Sequence, residues 1–290
     1  MSSLFQLPGQ ISQWCDRAWH RFLSLLPQPW SITLDLLISL VQRDLSSKYQ
    51  GSVLGNLWPL INQLFQLLIY TYVFSIILKV KLDLPGATNS NFTFGLWAFA
   101  GLVPWFAFTT GFLQSASAVV HQPNLVKKVV FPLELLPLVP VLSAFVESTM
   151  GLIVLVVAVS LILKVAHGTL LLLPLVWLTQ LLLTAGLSYL AAGLTVFLRD
   201  IPQTIGVILN LWFYLTPIVY PAKAIPAAWR VWITWLNPLA VICELYRDLI
   251  LVGRVDHLGE WLVTLAIASL VYALGWYCYQ RLRPAFADVL

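Results

Sequence analysis

The chain has 290 residues, of which 60% are apolar, 13% aromatic and only 10% charged, whereas soluble globular domains run near about 45–50% apolar and about 25% charged. That balance excludes a soluble fold. A net charge of +4, carried by 16 Lys and Arg scattered at segment ends, excludes a basic stripe for nucleic acid and suits anchoring at a membrane surface instead.

The first thirty residues hold no apolar run long enough for a secretory signal. Ile11, Trp14, Ala18, Phe22 and Leu25 recur at spacings of three and four, with Asp16, Arg17 and Arg21 between them, which predicts an amphipathic helix lying on the membrane. After Pro27 and Pro29 a second amphipathic segment begins at Ser31, a helix cap, and carries Ile32, Leu36, Leu37, Leu40, Val41 and Leu45. Its polar residues, Asp35, Gln42, Arg43, Asp44 and Lys48, predict an interface helix with its charged end in the cytoplasm. Residues 1–30 thus form an amphipathic extension and residues 31–290 a membrane domain.

Six apolar stretches follow, over 57–78, 94–120, 138–163, 169–198, 201–222 and 261–280. The first has no Asp, Glu, Lys or Arg, and a helix of its length reaches about 33 Å, enough to cross a hydrocarbon core of about 30 Å. Between the fifth and sixth, residues 231–243 are apolar for too short a distance to cross and are broken by Asn237 and Pro238. Two short helices dipping into the bilayer and returning fit this stretch, with Pro226, Trp229, Trp232 and Trp235 supplying breakers and interfacial aromatics. The expected fold is an all-α membrane protein of six transmembrane helices with two short re-entrant helices before the last. A seventh span would instead put the termini on opposite sides.

With the termini inside, the cytoplasmic segments carry Arg17, Arg21, Arg43, Lys48, Lys127, Lys128, Arg199, Arg281 and Arg283, against Lys79, Lys81 and Lys164 in the first two external loops. Lys223, Arg230, Arg247 and Arg254 fall in the long external region and count against this orientation.

Groups for chemistry are scarce. Glu147 is the charged residue of the spans, and it has no second carboxylate, metal ligand or nucleophile beside it, so an enzyme is not expected. Packing between helices and a part in conduction are both open to it. Cys15, Cys243 and Cys278 stand too far apart for a metal or redox pair. Asn62, Gln66 and Tyr70 recur every four residues in the first span, with Gln63 beside them, and lipid cannot satisfy their amides. They either bond a neighbouring helix or line a path for a ligand rich in hydroxyls. Trp97, Trp105, Phe106 and Phe108 crowd the second span and suit either a conduit for sugar rings or ordinary interfacial packing. No glycine is followed by the Lys of a phosphate-binding loop, so ATP and Mg, where they drive transport, belong to a separate ATPase chain and this chain binds no cofactor.

Four stretches taken together resemble one family. The segment Arg43-Asp44-Leu45-Ser46-Ser47-Lys48-Tyr49-Gln50-Gly51-Ser52-Val53-Leu54-Gly55-Asn56-Leu57-Trp58-Pro59 is similar to the opening of type-2 ABC exporter permeases for polysaccharides and polyol phosphates. Val126-Lys127-Lys128-Val129-Val130-Phe131-Pro132-Leu133-Glu134-Leu135-Leu136-Pro137, then Arg199-Asp200-Ile201, then Leu236-Asn237-Pro238-Leu239 with Glu244, Tyr246, Arg247 and Asp248, agree in order. The resemblance implies a homodimer with two ATPase subunits docked beneath it in a bacterial inner membrane, both termini cytoplasmic. It implies an ATPase-coupling element around Lys127, Lys128, Phe131, Pro132, Glu134, Arg199 and Asp200. It also implies an interface helix whose Arg43, Asp44, Lys48 and Tyr49 meet the diphosphate of a lipid-linked polysaccharide such as an O-antigen, a capsule or a teichoic-acid-like glycan. Leu133 stands where many relatives carry a polar residue. A type-2 permease for drugs or lipids shares this topology, whereas a secondary transporter or channel would show inverted repeats or charged midplane sites, which are not found.

Overall fold

The computed structural model describes residues 28–77, 93–128, 131–164 and 167–290. The amphipathic helix expected before Pro27, Cys15, the loop bearing Lys79 and Lys81, and Val129 and Val130 lie outside the described residues. Among those described, every regular element is helical. The chain divides into two compact units, 1–59 and 60–290.

In the first unit α1 (Gln28–Lys48) starts three residues before the expected Ser31. Pro29 is tolerated in its first turn, where the missing N–H would have had no partner. The Lys48 ammonium lies 3.4 Å from the Asp44 carboxylate one turn back. Past α1 the chain turns through Gly51 (φ +80°) and Gly55 (φ +49°), backbone conformations that cost a side-chain-bearing residue energy. The Trp58 indole N–H donates to Ser52 Oγ at 2.7 Å and closes this turn.

The second unit is a helical bundle. Its elements are α2 (Trp58–Thr71) with a wide turn over Tyr72–Ile77, α3 (Thr93–Ala116), α4 (Pro123–Lys128) and α5 (Leu135–Ile162). A tight turn (Gly168–Leu172) leads into α6 (Leu173–Thr195), followed by α7 (Ile201–Leu215), α8 (Ala227–Leu236) and α9 (Pro238–Arg247). A wide turn (Asp248–Val252) then leads to α10 (Leu258–Leu282) and the short α11 (Phe286–Val289).

Five segments are long and apolar enough to cross a membrane: Trp58–Ile77, Thr93–Ala116, Leu135–Ile162, Gly168–Thr195 and Leu258–Val289. The expected fifth crossing over 201–222 is shorter as a helix. Thr216 is extended (ψ 130°) because the following Pro217 disfavours helical backbone before it, so α7 ends after 15 residues, about 22 Å, which is less than a hydrocarbon core.

The central element is α3, buried on almost every side. It runs antiparallel to α5, with the Ser148 hydroxyl on Val103 O and the Ser115 hydroxyl on Pro137 O at 2.7 Å. Helices α6 and α10 run side by side in the same direction: Trp261 Nε1 donates to Thr179 Oγ1, Tyr189 packs on Trp276, and Gly193 lies against Leu282. They touch backbone to backbone, since a Cβ on Gly186 would sit 2.6 Å from Tyr272 Cα and one on Gly275 would sit 2.8 Å from the Gly186 carbonyl carbon. Because the two are parallel, the chain between Thr195 and Leu258 must return once to the end where α6 begins.

Candidate functional site

The reversal between α8 and α9 falls at Asn237–Pro238, as the sequence indicates, and is fixed by side-chain bonds. Asn237 Oδ1 caps α9 by accepting from the Leu239 and Ala240 N–H groups, and it also accepts from Trp212 Nε1 at 3.1 Å. Its Nδ2 donates to Thr216 Oγ1 at 2.9 Å. Pro238 at the first helical position needs no donor partner. The Trp212 ring packs edge-on against Phe108, 5.5 Å between centroids. Phe108 lies fifteen residues along α3 from Thr93, about 22 Å at the helical rise.

From this point α9 climbs along α3. Cys243 Sγ donates to Gly101 O at 3.3 Å, and the Tyr246 hydroxyl donates to Gln180 Oε1. Gln180 in turn donates to Pro104 O at 2.8 Å. Arg247, 2% exposed, donates to the carbonyls of Trp97, Pro217 and Ile218 and to Glu244 Oε1 at 2.8 Å. Gly101 leaves room for it, since a Cβ there would lie 2.6 Å from Nη2. A cation buried this far is stable only when paired and hydrogen-bonded, and here three carbonyls, a carboxylate and the Trp97 face surround it. Arg247, expected among the charges of the external region, is an internal one. Arg230 is likewise committed, donating to Lys223 O and Ile225 O.

Next to Arg247, Asp248 is buried and accepts from the Asp256 and His257 backbone N–H groups and from His257 Nδ1 at 2.8 Å. The hydrogen bond to Asp248 pushes the His257 imidazole up to about 9 against the opposing effect of burial.

The opposite end of the bundle holds the expected coupling residues. The short helix there is α4 over Pro123–Lys128, and the turn at Leu133 and Glu134 runs straight into α5, so no separate helix stands between Pro132 and Pro137. Lys127, Arg199 and Asp200 are exposed, whereas Leu133, Leu135 and Leu136 are buried. Phe131 packs against the cluster that contains Leu133, Leu136, Tyr189, Tyr279 and Phe286, and Pro132 is half-buried. Glu134 is ion-paired with Arg283 at 3.0 Å. The Tyr279 hydroxyl donates to Leu133 O at 2.8 Å and the Tyr189 hydroxyl to Glu134 O at 3.0 Å.

Of the polar face on α2, Asn62 is exposed, while Gln63, Gln66 and Tyr70 are half-buried. Gln63 lies over Gly151 of α5, whose missing side chain admits it. Glu147, one turn before Gly151, is half-buried. The rest of α2 presents Leu64, Phe65, Leu68 and Ile69 outward. The aromatics of α3 join two packed rows inside the bundle. One runs Tyr70, Phe74, Phe94, Trp97 and ends at Arg247. The other joins Trp105 to Phe213 and Phe108 to Trp212, with Tyr214 exposed beyond Phe213. Trp97, Trp105 and Phe108 are buried within the chain, while Phe106 is half-buried. In the first unit Arg43 is exposed, Tyr49 is half-buried and Lys48 is engaged with Asp44.

The sequence between residues 35 and 251 matches the family model described as ABC-2 type transporter. The chain is 34% identical over 262 residues to the O-antigen export system permease protein RfbA of Myxococcus xanthus, covering 87% of this chain and 94% of that one. It is 28% identical to the RfbA of Klebsiella pneumoniae, covering 88% and 95%. It is 21% identical to the polysialic acid transport protein KpsM of Escherichia coli, covering 80% and 87%. With its helical spans and a family match over most of its length, this multi-pass membrane protein belongs to the ABC-2 type transporter family.

Proposed function

We propose that this chain is the permease subunit of an ATP-driven exporter that moves a lipid-linked polysaccharide out of the cytoplasm across the bacterial inner membrane. The observation that carries the reading is the similarity, over nearly the whole chain, to permeases named for O-antigen and polysialic acid transport. Hydrolysis belongs to a separate ATPase subunit, in two copies, since the sequence has no phosphate-binding loop.

The chain acts as a homodimer with six crossings and both termini inside. The parallel packing of α6 and α10 supports six, because α7 and the α8–α9 pair then make the single return. The depth of Asn237 beside Phe108 supports re-entry of α8 and α9. With Arg247 internal, one basic residue leaves the external count and the charge asymmetry favours inside termini more strongly.

The polysaccharide path runs between two protomers. Asn62, Gln66, Tyr70, Phe106 and Tyr214 offer donors, acceptors and ring faces to sugars, while buried Trp97, Trp105 and Phe108 fix the wall behind them. Exposed Arg43, with Lys48 and Tyr49, attracts the lipid diphosphate at the interface, and Asp44 holds Lys48 in place. The loop 121–137, with Arg199 and Asp200, docks the ATPase. Coreconstitution with that ATPase, using lipid-linked polysaccharide extracted from the native host, tests the reading: movement into vesicles should require ATP and both proteins. Equal movement by this chain alone would refute it.

A further inference from the structure

The segment after Pro132 is tied to the bundle more heavily than a solvent loop needs to be. Two consecutive backbone carbonyls are claimed by tyrosines from two different spans, Leu133 O by Tyr279 of α10 and Glu134 O by Tyr189 of α6. Leu133 O also accepts from the Leu136 N–H at 3.1 Å, and since Pro137, four residues on, adds no donor, its other lone pair is left to Tyr279. The Glu134 carboxylate then reaches Arg283, just past α10. Behind these bonds the rings pack closely, Tyr189 tilted against Tyr279 at 5.2 Å and Tyr279 edge-on to Phe286 at 5.4 Å. Helix α4 packs Leu125 and Val126 against the same cluster and exposes Asn124 and Lys127. The exposed face thus belongs to α4, and the 131–136 segment, itself buried or half-buried, lies between the cluster under α4 and the bonds to α6 and α10.

We propose that Tyr189, Tyr279 and Arg283 are positioning residues for transport, which bind the 131–136 segment to α6 and α10 so that a push on the exposed face of α4, passed through Leu125 and Val126 to the cluster beneath, is delivered to those two spans. Glu134 serves as an internal strut and not as a contact to the ATPase. The inference rests on the reading of loop 121–137 as the ATPase-docking element. Since α6 and α10 are parallel and meet at Gly186 and Gly275, a displacement entering at Leu133 and Glu134 moves both together.

The test uses the full transporter in vesicles and reads polysaccharide moved per ATP hydrolysed, with lipid-linked polysaccharide from the native host as the probe. Tyr189→Phe with Tyr279→Phe keeps the rings and removes the two hydroxyls. It should lower that ratio about fivefold or more while assembly and ATP hydrolysis persist. Glu134→Arg and Arg283→Glu should each do the same, and the two combined should return the ratio to within about twofold of the parent. An unchanged ratio in the double Phe variant, or loss of assembly in the single charge variants that the exchange does not rescue, would overturn the proposal. Docking is read separately by Asn124→Cys in a chain with Cys15 and Cys278 changed to Ser. Labelling by a water-soluble thiol reagent should be slowed by the bound ATPase; labelling at equal speed would remove the docking reading and the inference with it. Slowed labelling with an unchanged transport ratio would leave docking standing and sink the inference alone.

Discussion

The guanidinium carbon of Arg247 lies 3.5 Å above the ring of Trp97, and the same side chain bonds the Trp97 carbonyl. One residue of α9 thus holds both the face and the backbone of one residue of α3. The three carbonyls it meets belong to Trp97 within α3 and to the Pro217–Ile218 turn after α7, whose two oxygens lie outside any helix ladder.

Replacing Arg247 by Ala should destabilise the protein by roughly 3–5 kcal/mol, the usual cost of breaking a buried charged network by removing one partner. Arg247→Lys should recover only part of this, because an ammonium cannot span three divergent carbonyls and stack on the indole. Thermal unfolding in detergent, followed by tryptophan fluorescence, measures both.

Asn237→Ala removes the cap of α9 and the bonds to Trp212 and Thr216 together, and a loss of about 1–3 kcal/mol is expected. Asn237→Asp keeps the acceptor for the two N–H groups and for Trp212 but loses the donor to Thr216, so it should fall between the parent and Ala. Melting midpoints in that order check the assignment of the amide.

His257 gives a pH dependence of definite sign. Its folded value, raised to about 9 from an ordinary 6.5 by the hydrogen bond to Asp248, means the folded state holds a proton that the unfolded state releases first. The contribution is full below about pH 6.5 and disappears as the pH rises through about 9. Midpoints measured from pH 6 to pH 9.5 should fall over this window. His257→Gln should flatten the slope.

Gly101→Ala places a methyl group against the Arg247 guanidinium, while Gly206→Ala meets nothing within 4 Å on α7. The first should destabilise by about 1–3 kcal/mol and the second should be neutral or slightly stabilising. Equal midpoints for the two would contradict the tight seat of Arg247.

Arg43→Ala should lower export and weaken its dependence on salt, because the exposed cation acts by charge attraction screened over about 10 Å at 0.1 M. Lys48→Ala should have the smaller effect, as Asp44 already engages that ammonium. Transport in vesicles at two ionic strengths separates them.

Much of the architecture was legible from residue patterning. Five of the six long apolar runs emerged as helices within a few residues of their expected limits, while that over 201–222 stopped at Leu215, and Asn237–Pro238 announced the break between α8 and α9 by a capping residue followed by one that cannot continue a helix from before it. Side-chain destinations were less accessible. Arg247 sits in a stretch with other basic residues, and charge counting has no means of seeing three carbonyls that arrive from positions 97, 217 and 218. Trp97, Trp105 and Phe108 carry the same composition whether they line a conduit or fill a core, and only packing places them inside. Tyr189 and Tyr279 gave no signal either, since their partners are backbone carbonyls distant in sequence.

The bare approach of Gly186 to Gly275 has one more implication. A slip of one turn would present Leu182 or Leu190 to Gly275, and neither fits where only main chain fits now. The fourth and last long helices are therefore keyed in a single register and travel as one plank, so any rearrangement that opens the protein has to find its sliding surfaces elsewhere.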